Sequence, residues 1–355
     1  ISCSLVGSEM CIRDRNVDAV FQFNSRVTPL FSQKGGIMIM GGYIISNRKV
    51  AVIGAGFVGS SIAYALTIRK LAREIVLIDI DKEKTEGEAL DIQHGIPELG
   101  DAVVRAGGYE DCADCDLIII TAGRNRKPGE SRLDLITGNS QILKNVVEQI
   151  QKYYTRGAIM LVSNPVDVLV YQCTRWMGLP DGRVFGTGCE LDSSRMVRLI
   201  ADYTNRDTEA VKISIVGEHG DAQIPIWSRA SIDGMPIQEY CETQGLPWTK
   251  EQREVLTEQV RGMGAAIIKN KGRTHYGIAT CACYLAGAVL DQRPAIASVS
   301  TVLRGEYGVS DVGLSVPSIL GVNGVEKRLE EEWAQEELTL FRQAADKMKG
   351  VLKTL

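Results

Sequence analysis

The residues with chemistry to offer fall into four short segments. Gly54-Ala55-Gly56-Phe57-Val58-Gly59 follows an apolar run and opens a helical one. In such a turn the first glycine permits the tight bend, the second lets backbone approach a pyrophosphate, and the third lets helix pack on strand. Asp79 closes the next apolar run about 20 residues on, where a carboxylate accepts ribose hydroxyls. It would repel a 2′-phosphate, so the expected cofactor is NAD rather than NADP. Alone the glycine pattern is weak, and glycines serve packing as well; the strand, the helix and the acid make it specific. Gly217-Glu218-His219-Gly220-Asp221 places one of only three histidines on a glycine-flanked turn that can present its imidazole. A lone histidine is more often structural, but Leu191-Asp192-Ser193-Ser194-Arg195 adds an acid and an arginine, and Gly129-Glu130-Ser131-Arg132 adds another arginine. Two arginines, a histidine and an aspartate around a dinucleotide fold suit hydride transfer to a carbonyl. Negative charge develops on the oxygen there, and a proton donor beside a cation lowers the barrier.

The elements that must position these groups alternate. Residues 49–54 (KVAVIG), 74–79 (EIVLID), 103–106, 116–121 (DLIIIT) and 158–163 (AIMLVS) read as strands, the apolar ones as buried. Helical stretches fall after Gly54, at 83–94 and at 133–154. The alternation implies an α/β fold, a Rossmann-type doubly wound parallel sheet. An α+β substrate domain is expected to follow. The domains are expected at 41–163 for the dinucleotide and 164–355 for substrate and catalysis. The later part mixes helices with short strands such as 212–216, and a charged helix from about Lys327 closes the chain. Residues 1–40 show little period, and residues 4–15 (SLVGSEMCIRDR) resemble translated sequencing-adapter read-through. They are set aside as an extension, with Met38 or Met40 the expected start.

Composition narrows the partners. The chain has 355 residues, 45% hydrophobic and 24% charged, enough for two ordinary domains. The 40 basic and 44 acidic residues are interspersed, so no electrostatic footprint for nucleic acid exists. No apolar run reaches the roughly 18 residues of a bilayer span, and a soluble chain with a small-molecule partner is expected. Nine cysteines without consistent pairing point to a reducing, cytoplasmic setting. Cys112 and Cys115 form a CxxC with no second pair or ligand-spaced histidine, so no metal site is expected. Cys281 and Cys283 read as packing.

From about Arg48 to the C-terminus the chain resembles the L-lactate/L-malate dehydrogenase family, through GAGFVGS, TAG, RKPGESRLDL, SNPVD, LDSSR and GEHGD in that order. The resemblance implies that His219 gives a proton to the substrate carbonyl, Asp192 orients its imidazolium, and Arg195 holds the carboxylate through a bidentate fork. It implies that Arg132, on a closing loop, polarises the carbonyl, that Asn164 binds substrate and cofactor, and that Thr121, Ala122 and Gly123 line the cofactor groove. Thr274 would face the substrate. The discriminating position, six before the loop arginine, is glutamine in typical lactate enzymes and arginine in malate enzymes; here it is Arg126. An arginine suits a second carboxylate. Glu130, Asp221, residues 225–228 (PIWS) and Thr274 are lactate-like. Glu130 either neutralises Arg126 or points to solvent. The reading is therefore an NAD-dependent L-2-hydroxy-acid dehydrogenase of the lactate type acting on a 2-keto or 2-hydroxy acid. L-malate dehydrogenase is the alternative, and a non-catalytic NAD-binding redox sensor a remoter one. Val197 and Lys212 stand where enzymes activated by fructose bisphosphate carry an arginine and a histidine, which argues against that activation; Arg198 and Lys212 are more simply a solvated pair. His94 and His275 read as structural. Family members are mostly homodimers or homotetramers.

Overall fold

The computed structural model of the chain describes residues 48–125, 129–291 and 293–355, and ahead of them the backbone of a hairpin, β1 (Met38–Met40) antiparallel to β2 (Tyr43–Ile45). The stretch from Ser4 to Arg15 lies outside the described residues. Strand and helix then alternate. β3 (Lys49–Ile53) leads to α1 (Phe57–Ile68), and β4 (Glu74–Ile78) to α2 (Lys82–His94). β5 (Val103–Ala106) and β6 (Leu117–Ile120) precede α3 (Arg132–Gln151). β7 (Ala158–Leu161), α4 (Val166–Met177) and β8 (Val184–Gly186) follow. These six strands pair in parallel in the order β5-β4-β3-β6-β7-β8. The order reverses between β3 and β6, and a sheet of this kind takes its ligand outside the carboxyl ends at that point.

The remaining elements are α5 (Glu190–Thr204), β9 (Val211–Lys212), β10 (Ile215–Gly217), β11 (Gln223–Pro225), β12 (Ser231–Ile232) and β13 (Met235–Pro236). Then come α6 (Ile237–Thr243), α7 (Lys250–Lys271), α8 (Tyr276–Leu290), β14 (Ala295–Arg304), β15 (Ser310–Gly321), β16 (Gly324–Arg328) and α9 (Gln335–Leu352). The long β14–β15 hairpin joins the parallel sheet where Ser300 pairs with Gly186, and β15 passes the sheet on to β10 where Ser315 pairs with Gly217. One continuous sheet thus connects the glycine turn after β3 with the histidine turn after β10.

Alternation along the central strands sorts two cores. Val50, Val52, Leu117 and Ile119 face Ile62 and Leu66 of α1 and Leu285 and Val289 of α8. Ala51, Ile53, Ile118 and Ile120 face Leu143 and Val147 of α3 and Leu169 of α4. Burial on both faces is why these strands read as unbroken apolar runs.

Two expectations are corrected. The segment 212–216 is not one strand: β9 pairs with β12 in a small separate sheet, whereas β10 belongs to the main one. The chain crosses between sheets there, which breaks the ladder. Nor does the closing helix begin at Lys327, which pairs with Ile319 in β16. Gly324 at φ +89° turns the chain back onto β15, and the helix starts only after Ala334, whose N–H donates to the Glu337 carboxylate.

The glycine turn is set by sterics. Gly54 adopts φ +107°, and a Cβ on Gly59 would lie 1.8 Å from the Gly54 carbonyl oxygen. Gly59→Ala is therefore expected to lower unfolding free energy by about 1–3 kcal/mol through overpacking. A Cβ on Gly56 would meet nothing within 4 Å, so Gly56→Ala should leave stability unchanged. Chemical denaturation of the two variants side by side checks the contrast.

Candidate active site

The glycine turn is held by its neighbours. The Gly54 amide donates to the Ile78 carbonyl at 2.7 Å, and the Ala55 amide donates to Asp79 Oδ2 at 2.6 Å. Asp79 Oδ1 accepts the Asp81 amide at 3.2 Å. Thr121, just past β6, donates from Oγ1 to the Gly54 carbonyl at 2.8 Å, which joins the two strand ends across the crevice. No side chain caps α1 at Gly56, so its first-turn amides face outward over a glycine whose Cβ side is open. This backbone cradle at the positive end of a helix fits the diphosphate of a dinucleotide. Phe57 and Val58 begin the helix, and Ala122 and Gly123 continue from Thr121 along the crevice. Asp79 does more than the sequence implied, because one of its oxygens also braces the turn.

The histidine turn meets α5 and α4. His219 Nδ1 lies 2.6 Å from Asp192 Oδ2, and Arg195 donates from Nη1 to Asp192 Oδ1 at 2.9 Å. Asp192 and Arg195 share a helix face one turn apart, as spacing three allows. The Asp192 side chain is 3% exposed and that of His219 25%. Burial works against a charged imidazole; the hydrogen bond and charge of Asp192, and then the charge of Asp167, outweigh it and hold His219 above its ordinary value.

Asp167 is a residue the sequence reading missed. It sits in the first turn of α4, accepts the His219 backbone N–H on Oδ2 at 2.8 Å and accepts Ser300 Oγ of β14 on Oδ1 at 2.6 Å. Burial pushes its carboxyl up to about 6 against those two bonds. It pins the histidine turn to both halves of the sheet. Its signal in the sequence was an acid inside the apolar run VDVLVY.

The segment after β6 is fastened by Asn139 of α3, also missed. Its Oδ1 accepts the Arg124 amide at 2.9 Å, and its Nδ2 donates to the Arg124 carbonyl at 3.1 Å and to the Asn164 carbonyl at 2.6 Å. Asn164, between β7 and α4, accepts the Val166 amide on Oδ1 at 3.3 Å. Ser163 donates to the Ala122 carbonyl at 2.7 Å. The Arg124 guanidinium forks onto Glu130, both bonds at 2.6 Å. Arg126 lies outside the described residues. Arg132 begins α3 behind the Ser131 cap, its own side chain outside the described set.

Thr274 lies between the Gly272 cap of α7 and α8, half-buried. His94 is exposed at the end of α2. Arg198 forks onto Asp202 at 3.0 and 2.6 Å. Cys112 and Cys115 are buried free thiols, each pushed up to about 12 by burial, so neither is a thiolate near neutrality.

Sequence comparison agrees with this geometry. The lactate/malate dehydrogenase NAD-binding domain profile matches residues 48–186, and the α/β C-terminal domain profile of the same family matches residues 189–355. The L-lactate dehydrogenase of Acetivibrio thermocellus is 41% identical over 308 residues, 87% of this chain and 97% of its own length. That of Priestia megaterium is 44% identical over 283 residues, 80% of this chain and 89% of its own. The ligand-bound crystal structure of a minor L-lactate dehydrogenase from Enterococcus mundtii superposes with a TM-score of 0.84 at 39% identity, covering 87% of this chain and 98% of that one. The chain belongs to the lactate/malate dehydrogenase family. It is an NAD-dependent oxidoreductase whose cofactor domain is the sheet described above.

Asn139 is 3% exposed, so Asn139→Ala leaves the Arg124 amide and the Asn164 carbonyl without this partner in a partly buried place. The expected cost is about 1–3 kcal/mol. A fall in turnover should accompany it as Asn164 loosens. Denaturation midpoints and steady-state kinetics unchanged from wild type would show that the bridge has no such role.

Proposed function

We propose that the chain is an L-lactate dehydrogenase that interconverts pyruvate and L-lactate with NADH and NAD. The observation that carries this is the His219 Nδ1 to Asp192 contact of 2.6 Å beside Arg195, in a chain whose relatives of that activity match it nearly end to end. The glycine turn would hold the diphosphate of the dinucleotide, whose reduced nicotinamide would supply the hydride. Arg195 binds the substrate carboxylate through the part of its guanidinium not spent on Asp192. With Nδ1 turned to Asp192, His219 keeps Nε2 for the carbonyl oxygen and gives up its proton there as charge develops. Asp192 stabilises the imidazolium before transfer and fixes its orientation. Arg132 polarises the carbonyl, Asn164 positions it, and Thr274 lines the substrate side. Thr121, Ala122, Gly123, Phe57, Val58 and Asp79 hold the dinucleotide.

The setting follows from the same reading. The cysteines of the described residues are free thiols, which suits a cytoplasmic enzyme. No helix among the described residues is long and apolar enough to cross a membrane. Tyr64 and Ile68 of α1 and Leu90 of α2 are 56%, 45% and 56% exposed, apolar surface that a homodimer or homotetramer would cover.

NADH oxidation with pyruvate and oxaloacetate in separate assays tests the substrate. Pyruvate should be preferred, and preference for oxaloacetate by orders of magnitude would overturn the lactate assignment and put Arg126 on a distal carboxylate. Reduction needs protonated His219, so kcat/KM for pyruvate should fall as pH rises through its raised pKa. Asp192→Asn removes the charge that raises it, and the falling limb should move to lower pH with turnover reduced. A pH profile that does not move would remove Asp192 from this role.

A further inference from the structure

Phe57 opens α1 at the mouth of the glycine turn, and its side chain is 54% exposed. The Arg273 guanidinium lies over the ring, Cζ 3.6 Å from its centroid, and Lys84 Nζ of α2 stands 5.7 Å from the same centroid. The His275 ring is 5.8 Å from Phe57 and 4.0 Å from Tyr276, over which Lys271 Nζ sits at 4.2 Å. Cations from the first turn of α2 and from the link between α7 and α8 therefore stand at Phe57 on the N-terminus of α1, itself the positive end of a helix dipole.

Among the described residues, Arg273, Lys84 and Lys271 have no carboxylate within ion-pair distance of their charged groups; each meets only an aromatic face. An exposed cation–π contact is weak, too weak to explain two like charges brought to one positive helix end. A second observation lies in the same corner. His275 is 8% exposed, and its Nδ1 has no hydrogen-bond partner among the described residues. Burial, then the charges of Lys271 and Arg273, hold its imidazole below the ordinary value, as a cationic corner requires. An anion beside Phe57 resolves the imbalance.

We propose that Arg273, with Lys84 beside the same Phe57 ring, clamps the diphosphate of the dinucleotide and so extends the backbone cradle of the glycine turn with side-chain charge. The guanidinium presents a planar fork that matches phosphate oxygens, and the Phe57 face holds that plane in place before the ligand arrives. Lys84 adds a point charge from the first turn of α2. The inference rests on the cofactor reading of Gly54 to Gly59 and adds two residues to it.

The test is nucleotide binding to the full chain, measured by calorimetry with no substrate present. NADH and ADP-ribose carry the diphosphate and adenosine does not. Arg273→Ala should weaken NADH and ADP-ribose about tenfold, the size of one lost charge-assisted hydrogen bond, and leave adenosine unchanged. Arg273→Lys should recover part of the loss, and the salt dependence of NADH binding should flatten in Arg273→Ala and further in the double variant with Lys84→Ala. Arg273 is exposed, and thermal melts without nucleotide should match wild type. Unchanged NADH affinity in Arg273→Ala, or an equal loss for adenosine, overturns the clamp while the cofactor reading stands. A wild-type chain that binds neither NADH nor ADP-ribose overturns both.

Discussion

Asp192 is buried to 2% exposure and accepts a hydrogen bond on each oxygen, one through His219 Nδ1 at 2.6 Å and one from Arg195 at 2.9 Å. An ionised carboxylate in such a place is stable only when its partners stay in place. The same contact raises the pKa of the imidazole and fixes its orientation. Asp167 repeats the arrangement beneath the turn, holding the His219 amide and the Ser300 hydroxyl. The two acids come from different helices, the histidine comes from the turn after β10, and the serine comes from β14. Without the continuous sheet that joins β7 and β8 to β14, β15 and β10, these four residues would share no common frame.

The cofactor crevice depends on the same sheet at its other end. Thr121 ties the end of β6 to the glycine turn after β3, and Asn139 ties the segment that follows to Asn164 at the end of β7. Asn164 is two residues from Val166, where α4 begins, and α4 carries Asp167. A short covalent path therefore links the groove in which the dinucleotide would lie to the acid beneath His219.

Much of this was legible in the sequence because it is local. The glycine turn, its strand and helix, Asp79, and the Asp192 and Arg195 pair each lie within one element or turn. What was missed is long-range. Asp167 acts on residues 52 and 133 positions away, and Asn139 reaches 15 and 25 positions, so neither partner is visible from its neighbourhood. The run 212–216 has strand composition throughout, yet two sheets compete for it, and composition does not reveal a competition between partners. Glu130 shows a third kind of limit: the sequence placed it near Arg126 and did not name Arg124, onto which Glu130 forks, while Arg126 lies outside the described residues.

The central claim is that Asp192 and Asp167 raise the pKa of the His219 imidazole above its ordinary value against its burial. The chain has only three histidines, His94, His219 and His275, which makes an NMR titration of imidazole resonances assignable by single substitutions. His219 should titrate above the ordinary histidine value of about 6.5, and its titration should fall below the wild-type value in Asp192→Asn. A His219 that titrates at or below the ordinary value, and does not move when Asp192 loses its charge, would contradict the account.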